Sequence, residues 1–150
     1  MSKKIKILAV SSSGGHWIQL NRLRPFLIKY DTTYVSTDET LKVTISEKFY
    51  SVRDANMWDK LGLIVQAFQI FFVVLKVKPD IIVSTGAAPG FFSLLVGKIL
   101  RKKTIWIDSI ANADEMSMAG MKCRKFADIW LTQWPELAND NGPMYRGQVL

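Results

Sequence analysis

Two glycine-bearing turns carry the residues best equipped for chemistry. The first is Ser11-Ser12-Ser13-Gly14-Gly15-His16, directly after the apolar run Ile5-Lys6-Ile7-Leu8-Ala9-Val10. Small residues let the backbone approach a ligand closely. The helical pattern that follows, with Leu20, Leu23 and Leu27 on one face, offers unpaired N–H groups and a partial positive charge at its start. Such a turn can hold a phosphate. His16, the only histidine, adds an imidazole, a group that gives or takes a proton near neutral pH. The plainer reading is a tight strand-to-helix turn with Ser13 as N-cap. The string lacks the full G-x-G-x-x-G pattern, and no P-loop lysine follows it.

The second turn is Ser84-Thr85-Gly86-Ala87-Ala88-Pro89-Gly90. It too follows a strand pattern, and Pro89 suits a first helical turn. Two such turns facing one crevice argue for an anion site more strongly than either alone. Two tight connections supplied by Gly and Pro are the bland alternative. Asp108 and Glu136 are weaker candidates for orienting a catalytic group. Asp38-Glu39 reads more simply as a solvated turn. No His/Cys/carboxylate cluster has metal-binding spacing, so neither metal nor cofactor is expected.

The elements that must position these turns alternate. Strand patterns cover 4–10, 32–37, 49–52, 80–85, 104–108 and 128–132; helical patterns cover 16–28, 60–78, 89–100 and 119–126. Alternation predicts an α/β fold, a parallel sheet covered on both faces and doubly wound by right-handed crossovers. Ligands then bind outside the carboxyl ends of the strands. Those ends are 12–16, 38–39, 85–90, 108–112 and 133–136, mostly small or polar residues.

The helix 60–78 is unusual. Gly62, Gln66, Gln69, Val73 and Lys76 form one stripe, and nearly everything else is apolar, including Phe68, Phe71 and Phe72. That arc is wider than a surface helix needs, yet shorter and more interrupted than a span of about 20 apolar residues. Either the helix is buried between the sheet and a neighbour, or its second face meets a membrane or a partner protein.

At 150 residues, 49% hydrophobic and 22% charged, the chain fits one domain with a sizeable core. One cysteine, Cys123, excludes an internal disulfide and fits a reducing compartment. The start, Met1-Ser2-Lys3-Lys4, has no signal-peptide pattern, so a cytoplasmic protein is expected. The net charge of +7 suits nucleic acid or an anionic membrane surface. However, Lys76, Lys78, Arg101, Lys102 and Lys103 sit just before strands, where helix C-termini attract cations. With no RNA-binding signature, no nucleic-acid partner is expected.

Taken together, Ser13-Gly14-Gly15-His16, Ser84-Thr85-Gly86 with Pro89-Gly90, Ile107-Asp108-Ser109 and Gln133-Trp134-Pro135-Glu136-Leu137 occur in one order across nearly the whole chain. In this the chain resembles the acceptor-binding, membrane-associated subunits of split, two-subunit GT-B glycosyltransferases. That oligosaccharide biosynthesis family includes the eukaryotic dolichol-linked UDP-GlcNAc transferase and bacterial capsule and exopolysaccharide relatives. The chain departs from the family in several places. The middle turn is one proline short of Gly-Pro-Gly. Asp108 stands where relatives often have Glu. Asn112-Ala113-Asp114-Glu115 replaces a more basic stretch. The eukaryotic N-terminal anchor is absent from this sequence, which suggests a bacterial member.

The resemblance implies a Rossmann-like sheet equivalent to the N-terminal half of a GT-B enzyme, with residues 1–150 as one acceptor-binding half-domain. It implies a subunit that binds a polyprenyl-diphosphate-linked saccharide and recruits a separate donor-binding subunit carrying the UDP-sugar. It would work at the inner face of the cell membrane. His16 would be the general base. Ser13, Gly14, Gly15, Thr85, Gly86, Gly90, Asp108 and Ser109 would hold the acceptor or its diphosphate. Gln133, Trp134 and Glu136 would orient groups or meet the partner, and Phe68, Phe71 and Phe72 would meet membrane or partner. The rival expectation is a stand-alone nucleotide- or phosphosugar-binding module, with Asp38 at the end of strand two touching a ribose.

Overall fold

A computed structural model describes residues 2–150. The six expected strands form β1 (Lys6–Ser11), β2 (Asp31–Ser36), β3 (Lys48–Ser51), β4 (Ile81–Gly86), β5 (Lys103–Ile107) and β6 (Ile129–Thr132). A seventh, β7 (Met144–Tyr145), is two residues long, too short to show a period in sequence. All pair in parallel, in the order β3-β2-β1-β4-β5-β6-β7. The chain reverses its direction of travel across the sheet at β1 and β4, so a crevice opens outside their carboxyl ends.

The expected helix 16–28 is two helices, α1 (Gly15–Arg22) and α2 (Arg24–Leu27). Pro25 has no N–H to continue the ladder, so the chain restarts at Leu23. The remaining helices are α3 (Lys60–Val77), α4 (Ala87–Ile99) and α5 (Met118–Cys123). Because strand side chains alternate, the sheet has two apolar faces. Ile7, Ala9, Tyr34 and Val83 pack with Trp17, Leu20 and Leu27 of α1 and α2. Leu8, Val10, Ile82 and Trp106 pack with Ile70 and Val74 of α3, Leu94 of α4 and Cys123 of α5.

Helix α3 is oriented against the usual rule. Its buried face is Gly62, Gln66, Ile70 and Val74. Gln66 Nε2 donates to the Arg53 carbonyl at 2.8 Å, and Gln69 Oε1 accepts from the Arg53 N–H at 2.7 Å. The polar stripe therefore clamps both backbone polar groups of Arg53, in the strand exit that precedes the helix. Apolar residues take the outside. Phe68 and Phe72 are 60% and 63% exposed, alongside exposed Leu61, Ile64, Val65 and Leu75. Full burial of this helix is ruled out.

Lysines stand at the helix ends, the expected Lys78 and also Lys98. Lys78 closes α3 in the left-handed conformation, and Lys98 Nζ lies 3.6 Å from Asp128. Both sit at the edge of the sheet opposite the crevice.

Candidate functional site

The first turn is shaped by a slip in register. β1 and β4 pair regularly to Val10 and Ser84; then Ser11 pairs with Gly86, leaving Thr85 in a bulge. Bulges re-aim groups beside sites. Here the Thr85 carbonyl lies 3.1 Å from His16 Nδ1, and Thr85 Oγ1 donates to the His16 carbonyl at 2.7 Å. A carbonyl only accepts, so Nδ1 carries a proton, and in the neutral ring Nε2 is the nitrogen with the lone pair. Among the described residues no hydrogen bond joins Asp108 or Glu136 to His16. The expected orienting carboxylate is replaced by a backbone carbonyl.

The glycines divide into two kinds. A Cβ on Gly14 or Gly15 would meet nothing within 4 Å, so the first turn faces open space. Gly86, at φ +147°, would place a Cβ 2.2 Å from His16 Nδ1, so its bare Cα admits the imidazole rather than a phosphate. Gly90 is a helix-to-sheet contact, since a Cβ there would fall 2.0 Å from Ser84 Oγ. It is buried packing and does not hold phosphate.

Among the described residues neither helix start at the crevice has a side-chain cap. Gly14, not Ser13, is the N-cap of α1, and Gly86 is that of α4. Ser13 is used elsewhere: its N–H donates to Thr37 Oγ1 at 3.1 Å, joining the turn to the exit of β2. Ala87, next to Gly86, holds a positive φ of 66°, a strained conformation for a residue with a Cβ and one that concentrates at functional sites. The crevice thus combines bare amides, two dipoles of one sign and an imidazole with a free lone pair.

The loops after β5 and β6 close the other side. Asp108 is buried, and its carboxylate is saturated. Oδ1 accepts from Trp106 Nε1 at 2.9 Å and from Ser117 Oγ; Oδ2 accepts from the Ser117 N–H at 2.8 Å and Asn112 Nδ2 at 3.2 Å. It organises the loop 108–117 and is not presented to an acceptor. Ser109 Oγ accepts from Gln19 Nε2 at 3.0 Å. Gln133 is buried, which removes it from any partner surface. Trp134 Nε1 donates to the Ile110 carbonyl at 2.7 Å. Glu136 lies exposed on a 3-10 turn, Pro135–Leu137. Sequence reasoning missed Gln19; the signal available was a glutamine in the same stretch as the buried Trp17 and Leu20, one turn beyond His16.

Comparison with known proteins decides the family. The model of the family described as "Oligosaccharide biosynthesis protein Alg14 like" matches residues 28–149. The chain belongs to that family. It is 27% identical to the UDP-N-acetylglucosamine transferase subunit alg14 of Schizosaccharomyces pombe, over 88% of this chain and 77% of that one. It is 33% identical to the corresponding Mus musculus subunit over 45% of this chain, but only 34% of the mouse protein. By this kinship the chain is a glycosyltransferase subunit. Among solved structures, Acinetobacter baumannii MurG superposes with a TM-score of 0.78 at 11% identity, over 94% of this chain and 45% of MurG. A UDP-GlcNAc 2-epimerase of Methanocaldococcus jannaschii gives 0.72 at 14% identity, over 94% and 46%. The fold is the Rossmann-like half of a GT-B enzyme, and the chain spans less than half of those single-chain structures.

In this Alg14-like chain Asp38, the ribose contact of the rival reading, is engaged through one carboxylate oxygen. Asp38 Oδ1 accepts from the Thr40 N–H at 2.9 Å and Thr40 Oγ1 at 2.7 Å, capping the 3-10 turn Glu39–Thr44. Those hydrogen bonds from Thr40 hold its carboxyl below the usual range. Beyond the crevice, the outward face of α3 continues into Trp58, 90% exposed, and Met57. Phe71 is half-buried and lines a groove of about 380 Å³ with Leu63, Ile64, Ala67, Phe68 and Phe92.

Proposed function

We propose that this chain is the acceptor-binding and recruiting subunit of a two-subunit glycosyltransferase. The enzyme would move a sugar from a UDP-sugar to a polyprenyl-diphosphate-linked saccharide, in capsule or exopolysaccharide synthesis. The observation that carries the reading is His16 held between two uncapped helix starts. Helix N-termini attract anions through free N–H groups and the dipole. A diphosphate seated on the amides of the Gly14–Gly15 and Ala87–Ala88 turns leaves the attached sugar beside His16. With Nδ1–H fixed on the Thr85 carbonyl, Nε2 takes the proton from the acceptor hydroxyl as that oxygen attacks the anomeric carbon and UDP departs.

Two features support the partners. The donor site of a GT-B enzyme belongs to the other half, which a separate donor-binding subunit would supply. Helix α3 is long and apolar enough by composition to cross a membrane, but its polar stripe is spent on the Arg53 backbone. That use of the stripe supports a helix lying along the cytoplasmic membrane surface, its outward apolar residues in the interface and the net positive charge attracted to anionic lipid. The test is transfer from UDP-GlcNAc to a polyprenyl-diphosphate saccharide by this chain with and without a cognate donor-binding subunit. Turnover only by the pair is expected. Turnover by this chain alone, or none by the pair, overturns the proposal.

A further inference from the structure

We propose that Gln19 is a positioning residue for this reaction: it ties the helix bearing His16 to the loops after β5 and β6. The role it is given in catalysis rests on the function proposed above. Gln19 lies three residues beyond His16 on α1 and is 5% exposed. Its amide oxygen accepts from the Ile110 N–H at 3.2 Å and from Gln133 Nε2 at 2.6 Å. Its amide nitrogen donates to Ser109 Oγ at 3.0 Å. Gln133 Nε2 also donates to the Asp108 carbonyl at 2.8 Å, and Gln133 Oε1 accepts from the Val149 N–H at 2.7 Å.

The direction of this relay is fixed from one end. A backbone N–H only donates, so Val149 makes Gln133 present its oxygen there and its NH₂ to Gln19. Gln19 must answer with its oxygen, which turns its own NH₂ to Ser109. Buried polar groups satisfied in this way specify one arrangement, and an unmade bond among them is costly. One side chain thus sets the distance between His16 and the loop 108–112 that faces it across the crevice. An acceptor held against that loop is aligned with Nε2 only while the tie is intact. Misplacement by about 1 Å is enough to cost on the order of 100-fold in rate.

The experiment uses the full chain as wild type, Gln19→Met and Gln19→Glu. Methionine keeps the volume and removes every bond. Glutamate keeps both accepting bonds, and the Ser109 hydroxyl turns to donate to it. Three readouts are taken beside a thermal melt: hydrogen exchange of the Ile110 amide, the imidazole NMR signal of His16, which is unique in the chain, and kcat and KM of the assembled enzyme.

For Gln19→Met we expect at least tenfold faster Ile110 exchange, a shifted His16 signal and a kcat lowered about 10- to 100-fold. The KM for the UDP-sugar should stay within about twofold, because the donor half is untouched. Gln19→Glu should restore the protection, the signal and most of the turnover. Unchanged exchange and signal in Gln19→Met overturn the tie. Altered exchange with unaltered turnover overturns the positioning role, as does a folded Gln19→Glu no better than Gln19→Met. If the wild-type pair transfers no sugar, the functional reading of the previous section falls, and exchange and the His16 signal still decide whether the tie exists.

Discussion

His16 and Gly86 work as one unit, and replacing each should fail in a different way. Removing the imidazole by His16→Ala should lower turnover of the assembled enzyme about 10²–10⁴-fold, the range for a lost general base, with little change in melting temperature. Gly15→Leu puts a side chain into open space. It should keep the fold and lose acceptor binding, measured by calorimetric titration with inorganic diphosphate or a polyprenyl-diphosphate acceptor. Gly86→Leu drives a side chain into the ring at a positive φ and should lose stability and activity together. Asp108→Asn retains shape but turns a donor group toward donors, so about 1–3 kcal/mol of stability should be lost, read by denaturant melts. At this scale the two turns singled out in the sequence lie together at the β1 and β4 ends, and several residues within them make other contacts than expected. Gly86, Gly90 and Asp108 stood out by type, but what they serve is set by the fold: Gly86 makes room for His16, Gly90 for Ser84, and Asp108 gathers Trp106, Asn112 and Ser117, contacts that residue type alone does not encode.

At the scale of the element, α3 shows what a periodic pattern can and cannot say. The wide apolar arc was legible. The side facing out was not, because the polar stripe finds its partner in the Arg53 backbone, outside the helix. The consequence is testable on vesicles containing anionic lipid. Phe68→Ser with Phe72→Ser should cut flotation at least tenfold, since each exposed aromatic inserted contributes at about 25 cal/mol per Å² removed from water. The melting temperature should hold, because neither ring is part of the buried core. Raising salt should weaken what binding remains. Unaltered flotation would take α3 out of the membrane contact. The break at Leu23 follows from Pro25 and could have been placed from sequence, whereas β7 is set by pairing with β6 alone.

At the scale of the molecule, buried acids predict how the fold responds to alkali. Burial pushes the Tyr34 phenol and the Cys123 thiol up to about 12 each, from 10.0 and 9.0, with the Asp108 charge adding to the shift at Cys123. Between about pH 9 and 12 the folded state therefore keeps protons that the unfolded chain releases, and stability falls as pH rises. At about 1.4 kcal/mol per pKa unit the loss is on the order of a few kcal/mol. Among the described residues the buried Tyr34 hydroxyl has no hydrogen-bond partner. Tyr34→Phe should therefore match or exceed wild type at pH 7.5 and lose less by pH 10.5, in guanidinium melts at both values. The overall architecture was the most legible level of all, because alternating strand and helix patterns are global and redundant.

The parallel sheet order also governs how the molecule comes into being. β1 precedes every other strand in the chain, yet it sits beside β4, and the hydrogen bond from the Lys6 N–H to Asp80 closes a separation of 74 residues. During synthesis this buried central strand must wait, unpaired along one edge, until β4, 74 residues later, has been made. Pairings of such long separation are slow to form and leave sticky edges in the interim. The architecture that sets two bare helix starts side by side thus obliges the nascent chain to hold one edge of its future centre open while β4 is still to come.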